Sequence, residues 1–304
     1  MAQPLPQIAA LLAQAAPDPI AMSDVSVAEL RAQCDAGVVA LHRWVREVPA
    51  MHEVQDLVSP GGVPVRLYLP TETPESLHIH LHGGGWWMGS VTTADPMVRE
   101  LAHVLGMAVL SVDYPLAPEH PWPAAPESVY EVLTWIAETY ERISIGGESA
   151  GANLAAVVAL MARDRNGPRI VAQWLDVPAV DLGRWDDPSM TKYGTGYGLE
   201  AAQLPAMVSW YAEDTTHPYV SPLRADLAGL PPAIVTVAEC DPLYDQGIAF
   251  AEALEAASVP TAMLCAGGHV HGSSWLTALT DEVAAWHDEV VAQLASHHAL
   301  EPTA

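Results

Sequence analysis

Basic residues are what this chain has least of. Lys and Arg together total 12 against 37 Asp and Glu, and only one of the 12, Lys192, is a lysine. The acids are an ordinary share of 304 residues, so the net charge of −25 reflects a deficit of bases. A salt-adapted surface, which carries an excess of acids, is therefore the lesser reading. Without basic patches the chain has no electrostatic footprint for nucleic acid or for an anionic membrane surface. It repels acidic substrates at long range and suits neutral or cationic ones. Cysteine is scarce too. Cys34, Cys240 and Cys265 are an odd count with no Cys-x-x-Cys spacing, which argues against a disulfide framework or a thiolate zinc site and fits a reducing compartment. No apolar run reaches the ~20 residues of a membrane span. The mildly apolar residues 8–12 lack the basic stretch that a signal peptide places before them. The expectation is a soluble cytoplasmic protein, free of internal repeats and low-complexity segments.

What is present is a large foldable core. Half the residues are hydrophobic and 16% are charged, as in ordinary globular domains. Residues 1–47 read as helical. Ser26-Val27-Ala28-Glu29 has the form of a capping box, and Val27, Leu30, Cys34, Val38, Leu41 and Val45 recur at helical spacing as one apolar stripe. Strands follow at 54–58 and 63–69, with Gly61-Gly62 as turn residues between them. From there strands and helices alternate: strand 77–81, helix 97–105, strand 108–112, helix 128–138, strand 143–145 and helix 150–163. Further strands are expected at 171–175, 233–238 and 262–265, with a closing helix over about 276–295 and a frayed tail after His298. Such alternation implies an α/β fold, a mostly parallel sheet with helices on both faces. Residues 183–222, rich in Gly, Trp and Tyr, break the rhythm and carry a helical piece over 200–211. A lid would sit there.

The chain is organised around Ile143-Ser144-Ile145-Gly146-Gly147-Glu148-Ser149-Ala150-Gly151. A β-branched run enters Gly-x-Ser-x-Gly and an Ala-rich helical pattern leaves it, the strand–turn–helix context of a nucleophile elbow. The strained turn tolerates no side chain two residues before or after the serine, and Gly147 and Gly151 meet that demand. Read blandly, the same residues are a Gly/Ser turn before an ordinary helix.

In an open parallel sheet, ligand groups gather beyond the carboxyl ends of the strands. Four reactive groups fall just after predicted strands: His82-Gly83-Gly84-Gly85, Ser149, Asp241 and His271. The order Ser, Asp, His is that of an α/β-hydrolase triad. The chemistry needs all three, because a serine hydroxyl is a poor nucleophile at neutral pH. A histidine must take its proton, and a carboxylate must hold the histidine's tautomer and stabilise the imidazolium. The glycines let the N–H groups of Gly84 and Gly85, with that of Ala150, approach an oxyanion, each such donor being worth ~3 kcal/mol of barrier.

Taken together, His82-Gly83-Gly84-Gly85, the run Asp113-Tyr114-Pro115-Leu116-Ala117-Pro118-Glu119-His120-Pro121, Gly147-Glu148-Ser149-Ala150-Gly151, Asp241-Pro242-Leu243 and His271-Gly272 resemble the hormonesensitive-lipase family of α/β-hydrolases. Within it the chain is most similar to bacterial carboxylesterases and heroin-esterase-like acetylesterases. The resemblance spans about residues 50–295. It implies a single α/β-hydrolase domain over 1–304, with a core of about 48–182 and 223–296. A helical cap from about 1–47 and 183–222 would cover an acyl pocket. It also implies a carboxylic ester hydrolase for short-chain esters of neutral alcohols, with Ser149 as nucleophile, His271 as general base and Asp241 as the orienting acid. Gly84, Gly85 and Ala150 would form the oxyanion hole. A small-molecule ester is the expected partner and a homodimer the expected assembly; no metal, nucleotide or redox cofactor is implied. A lactonase or small-metabolite deacetylase is the alternative, since ring-opening uses the same triad, and a non-catalytic receptor on this fold is the remote one. The chain departs from the family pattern at three places. Glu148 stands where Asp is commoner. Pro115 stands where Arg is usual, which removes a cation from that loop. Ser273-Ser274 after His271-Gly272 make that wall of the pocket smaller and more polar.

Rivals exist for most of these roles. His269 competes with His271, which alone has the following glycine, and Asp245 and Asp176 compete with Asp241. His78, His80 and His82 share a strand face and could chelate zinc, but spacing supplies no third or fourth ligand outside that face. His78 and His80 therefore read as packed core histidines, and His82 as a support of the glycine loop. Trp86, Trp87 and Glu148 are the candidate substrate contacts; each Trp equally suits packing beneath a cap. Trp185, Tyr193, Tyr197, Trp210 and Tyr211 face either substrate or lid core. Glu119 and its prolines read as a rigid loop.

Overall fold

A computed structural model describes residues 2–14 and 26–299. Among these residues eight strands form one sheet: β1 (Glu53–Val58), β2 (Pro64–Leu69), β3 (Ser76–Leu81), β4 (Ala108–Val112), β5 (Arg142–Glu148), β6 (Ile170–Asp176), β7 (Ala233–Ala238) and β8 (Thr261–Ala266). Their spatial order is β1-β2-β4-β3-β5-β6-β7-β8. The Gly61-Gly62 turn closes an antiparallel hairpin that pairs Glu53 with Leu69, and β2 also runs antiparallel to β4. Every later pairing is parallel.

Side chains alternate across a strand, and both faces of this sheet are covered. On β3, Leu77, Ile79 and Leu81 enter the larger core with Leu110 of β4 and Val235 of β7. Helices α4 (Ala124–Ile136), α5 (Ala150–Asp164) and α8 (Tyr244–Ala256) lie on that face. The opposite positions, among them Tyr68, Val109, Trp174 and Ile234, form a second core under α3 (Asp95–Leu105) and α9 (Asp281–Ala299). Every residue of α5 from Ala150 to Ala162 is buried. Its small side chains let it press against the sheet, and Gly147 and Gly151 mark the tightest point. A Cβ on either would collide with the carbonyl oxygen of Leu81, so β3, the elbow and α5 reach this separation only with glycine at both positions.

Two boundaries differ from expectation for identifiable reasons. The closing helix begins at Asp281, five residues late. Residues 273–275 form a 3₁₀ turn that aims Ser274 and Trp275 inward, and Thr277 bonds to Glu100. Helical geometry from 276 would forfeit those contacts, and the Thr280 hydroxyl accepts from the N–H of Val283 in the first turn. Strand β5 runs on to Glu148 because its register with β6 continues to the pair Glu148–Asp176. The tail expected to fray after His298 lies outside the described residues from 300 onward.

The remaining helices are α1 (Pro6–Leu12), α2 (Val27–Leu41), α6 (Pro188–Tyr193) and α7 (Leu204–Tyr211). The capping box at Ser26 and Glu29 is formed in both directions. Of the α2 stripe, however, only Leu30 and Val45 are buried, and Leu41 is 38% exposed. The helix is held instead by a polar face, described below. The 183–222 segment is fastened at both ends. Asn153 donates to the carbonyls of Ala179 and Val220, Leu223 N–H donates to Val180, and Arg224 pairs with Asp181. Among the described residues no helix is long and apolar enough to cross a membrane.

Candidate active site

Ser149 sits where β5 turns into α5, with φ 56° and ψ −116°. That left-handed conformation is costly for a residue with a Cβ and is kept only where the surroundings impose it. The surroundings here are specific: Ser149 N–H donates to the carbonyl of Asp176 at 2.8 Å, and its own carbonyl accepts from Asn153 N–H at 3.0 Å. The end of β6 and the first turn of α5 therefore clamp the turn.

Beyond β7 and β8, two loops bring Asp241 and His271 together. The Asp241 carboxylate is almost completely buried; its Oδ1 accepts from Leu243 N–H at 2.8 Å and its Oδ2 meets His271 Nδ1 at 2.8 Å. With Nδ1 committed, Nε2 is the ring nitrogen left for a reacting group. Burial disfavours the imidazolium, but Asp241, with Asp176 and Glu148 behind it, more than offsets this and holds the His271 pKa above its ordinary value. The Ser149 hydroxyl makes no hydrogen bond to His271 among the described residues. It turns about one bond, and such contacts commonly tighten only around substrate.

The rivals have other partners. His269 is buried, bonded to Ser273 Oγ at 3.1 Å and pushed down to about 4. Asp245 accepts from Ser189 N–H and anchors α6. Asp176 is the residue whose importance sequence reasoning missed. Its buried carboxylate accepts from Thr236 Oγ1 at 2.6 Å, Ser274 Oγ at 2.9 Å and Trp275 Nε1 at 3.0 Å. Burial raises its pKa and these donors oppose the rise. Its charge is a second carboxylate acting on the His271 imidazole, and its position at the end of β6 was the available signal. Ser273 and Ser274, expected to make the pocket wall polar, are buried and bond inward to the His269–Val270 turn and to Asp176.

The glycine loop follows β3. His82 is buried, stacks on Tyr114 at 4.2 Å between centroids, and bonds through Nδ1 to the Gly83 carbonyl. The Tyr114 hydroxyl donates to the His82 carbonyl at 2.7 Å. Gly83 N–H donates to Glu148 Oε1 at 3.2 Å. Among the described residues the N–H groups of Gly84, Gly85 and Ala150 donate to no protein acceptor. Unclaimed donors of this kind are what a cradle for negative charge requires. Glu148 is pushed up to about 7 by burial and by the Asp176 carboxylate, against the Gly83 N–H and His271.

Trp86 and Trp87 are both buried. Trp86 stacks on Tyr211 at 4.8 Å and Trp87 meets Trp210 edge-on at 5.6 Å, so both indoles pack beneath α7. Met207 of α7 overhangs the glycines; a Cβ on Gly85 would lie 2.9 Å from its sulfur. On the other side Ile8 of α1 packs with Tyr193, Cys240 and Val270, with Leu12 and Tyr197 at the edge, directly beside the Asp241 and His271 loops. The 113–121 loop, lacking a cation at Pro115, receives one from α2: Arg31 bonds to the Ala117 carbonyl and to Glu119. His78 and His298 share the hydroxyl of Ser144 in the sheet core, and His80 lies edge-on to Trp275. They lie on the sheet face opposite α5.

Comparison with known proteins bears on this geometry. A family model described as alpha/beta hydrolase fold matches residues 78–274. The chain belongs to that family. Among its relatives, the chain is 36% identical to a carboxylic ester hydrolase, LipN, of Mycobacterium tuberculosis, over 92% of this chain and 78% of that one. It is 38% identical to the esterase LipI of the same organism, over 84% and 87%. A hyperthermophilic esterase from the archaeon Pyrobaculum calidifontis superposes with a TM-score of 0.92 at 33% identity, covering 98% of this chain and 100% of the other. As an α/β-hydrolase with esterases for relatives, the chain carries its elbow, its Asp–His pair and its unclaimed N–H groups on the sheet end where the fold gathers its ligands.

Proposed function

We propose that this chain is a serine carboxylesterase acting on short-chain acyl esters of neutral alcohols. The observation that carries the reading is the 2.8 Å bond between His271 Nδ1 and a buried Asp241, set beside a strained serine and three unclaimed N–H groups. In the reaction Ser149 Oγ attacks the ester carbonyl and its proton passes to His271 Nε2. The carbonyl oxygen takes the negative charge and rests on the N–H groups of Gly84, Gly85 and Ala150. Collapse of this intermediate breaks the C–O bond to the alcohol, which leaves with the proton from His271 and deposits the acyl group on Ser149. Water, deprotonated by the same nitrogen, then releases the acid and restores the serine.

Asp241 keeps the imidazole in one tautomer and stabilises its charged form. Asp176 and Glu148 add negative potential around the same ring. Helices α1, α2 and the 183–222 segment serve as the cap, and Met207 with the buried Trp86 and Trp87 limits the acyl side. A net charge of −25 favours neutral esters over anionic ones. The test is hydrolysis of p-nitrophenyl esters from C2 to C12. Turnover is expected to peak at C2–C6 and to fall by about tenfold or more at C10–C12, since each methylene that does not fit forfeits ~1 kcal/mol. A maximum at C10–C12 would overturn the short-chain assignment, and inertness towards every ester would overturn the esterase assignment.

A further inference from the structure

Beside the buried Leu30, helix α2 meets the molecule with a polar face, and that face grips the turn that carries the oxyanion glycines. Arg31 Nε donates to the Trp87 carbonyl at 2.7 Å, and Nη2 donates to the Ala117 carbonyl at 3.1 Å. Its two terminal nitrogens also take both oxygens of Glu119, at 3.2 and 2.8 Å. One turn further along α2, Asp35 Oδ1 accepts from Gly89 N–H at 3.1 Å, so residues four apart on one helix face hold the peptide groups on either side of Met88. Residues i and i+4 share a face, which makes this a matched pair.

The gripped segment is short and internally coupled. The Gly84 carbonyl accepts from the N–H groups of Trp87 and Met88, at 3.2 and 3.1 Å, and Ala117 N–H donates to the Trp86 carbonyl at 2.9 Å. Moving the Trp87 peptide therefore moves the peptide planes of Gly84 and Gly85. We infer that Arg31 is a positioning residue for the oxyanion hole, holding the residue 84–88 turn and the 113–121 loop in register from the N-terminal helix. The guanidinium suits the task because it is a planar fork with five donors, able to hold two carbonyls and a carboxylate at once; a lysine ammonium is a compact charge without that fork. Arg31 is only 22% exposed, so these bonds are partly shielded from water and salt.

This inference rests on the oxyanion role proposed for Gly84 and Gly85, and its test includes a readout that does not need turnover. Arg31→Ala, Arg31→Lys and the control Arg43→Ala, which removes an arginine that among the described residues is stacked only on Trp44, are compared with the wild type. Amide hydrogen exchange over residues 84–88 is expected to speed up by at least tenfold in Arg31→Ala and to stay unchanged in Arg43→Ala. With p-nitrophenyl acetate, kcat is expected to fall by about 10²-fold in Arg31→Ala with KM within threefold, the size expected when an oxyanion donor is displaced. Arg31→Lys is expected to fall between the two. Unchanged exchange over residues 84–88 would overturn the inference whether or not the wild type hydrolyses esters. So would faster exchange accompanied by a change in KM alone, or full rescue by lysine. Faster exchange in a wild-type background that hydrolyses no ester would leave the clamp standing and remove the esterase reading instead.

Discussion

Replacing Ser149 by alanine is expected to lower kcat for p-nitrophenyl acetate by about 10⁶-fold, and His271→Ala by a similar factor. Residues of a triad act as a unit, so removing either one forfeits nearly the whole covalent route and leaves only binding and oxyanion stabilisation. Asp241→Asn is expected to cost about 10⁴-fold. The amide fills the same buried space, but its NH₂ group, if turned to the ring, would favour the tautomer whose Nε2 carries the proton and cannot accept one. All three variants are expected to stay folded, because the elbow is held by main-chain bonds to Asp176 and Asn153 and not by the serine hydroxyl. The pH profile carries a further sign. The proposed mechanism needs neutral His271, whose pKa is held above its ordinary 6.5 by Asp241, Asp176 and Glu148 against the effect of burial. The kcat/KM of the wild type is therefore expected to rise with pH through a value above 6.5, and Asp176→Asn to move that limb towards lower pH. A limb that stays in place would show that Asp176 does not act on the ring.

The second large effect concerns stability in mild acid. Burial lowers the pKa of His78 and His82, takes His80 to about 3 and takes His269, His287 and His298 to about 4. A group with a depressed folded pKa is neutral in the folded chain, whereas the unfolded chain protonates it below about 6.5. Unfolding then takes up protons, so stability falls as pH drops from about 6.5 towards the folded values. Four carboxyls and His271 work the other way. Glu148, raised to about 7, with Glu100, Asp176 and Asp187, also raised by burial, and His271, raised by its carboxylate neighbours, regain stability as pH falls through their folded values. The lowered imidazoles outnumber them. Each net proton taken up on unfolding amounts to ~1.4 kcal/mol per pH unit, a sizeable part of the stability of many domains. Tm is expected to drop by about 5 °C between pH 6.5 and 5.5. A scan that is flat or rising over that interval would show that the core histidines are charged or solvated in the folded chain.

How much of this was legible in the sequence depends on the range of the interaction. The alternation of elements and the strand–turn–helix at Ser149 are local, and the sheet of β3 to β8 with α5 follows from them. The hairpin at Gly61-Gly62 is local as well. Asp241 and His271 could be singled out because each follows a strand and because the order of the three residues matches a familiar pattern. What sequence reasoning missed is long-range and polar. Asp176 and Ser274 lie 98 positions apart, and Arg31 and Glu119 lie 88 apart; no periodicity announces such pairs. The α2 stripe misled for the same reason: helical spacing marks a face but not what that face meets, and here Arg31 and Asp35 do the docking while Leu41 stays exposed. Trp86 and Trp87 show a further limit. Their position after the glycine loop suits a pocket, and only the packing reveals that both indoles lie beneath Tyr211 and Trp210.

The most direct measurement is covalent labelling with an alkyl fluorophosphonate, read by peptide mass spectrometry. Such a reagent reports the activated nucleophile without requiring the right ester. One adduct per chain is expected on Ser149, absent in Ser149→Ala and at least 10²-fold slower in His271→Ala, since the imidazole must take the serine proton for the oxygen to react. An adduct on another residue, or an unlabelled Ser149 in folded protein, would contradict the account.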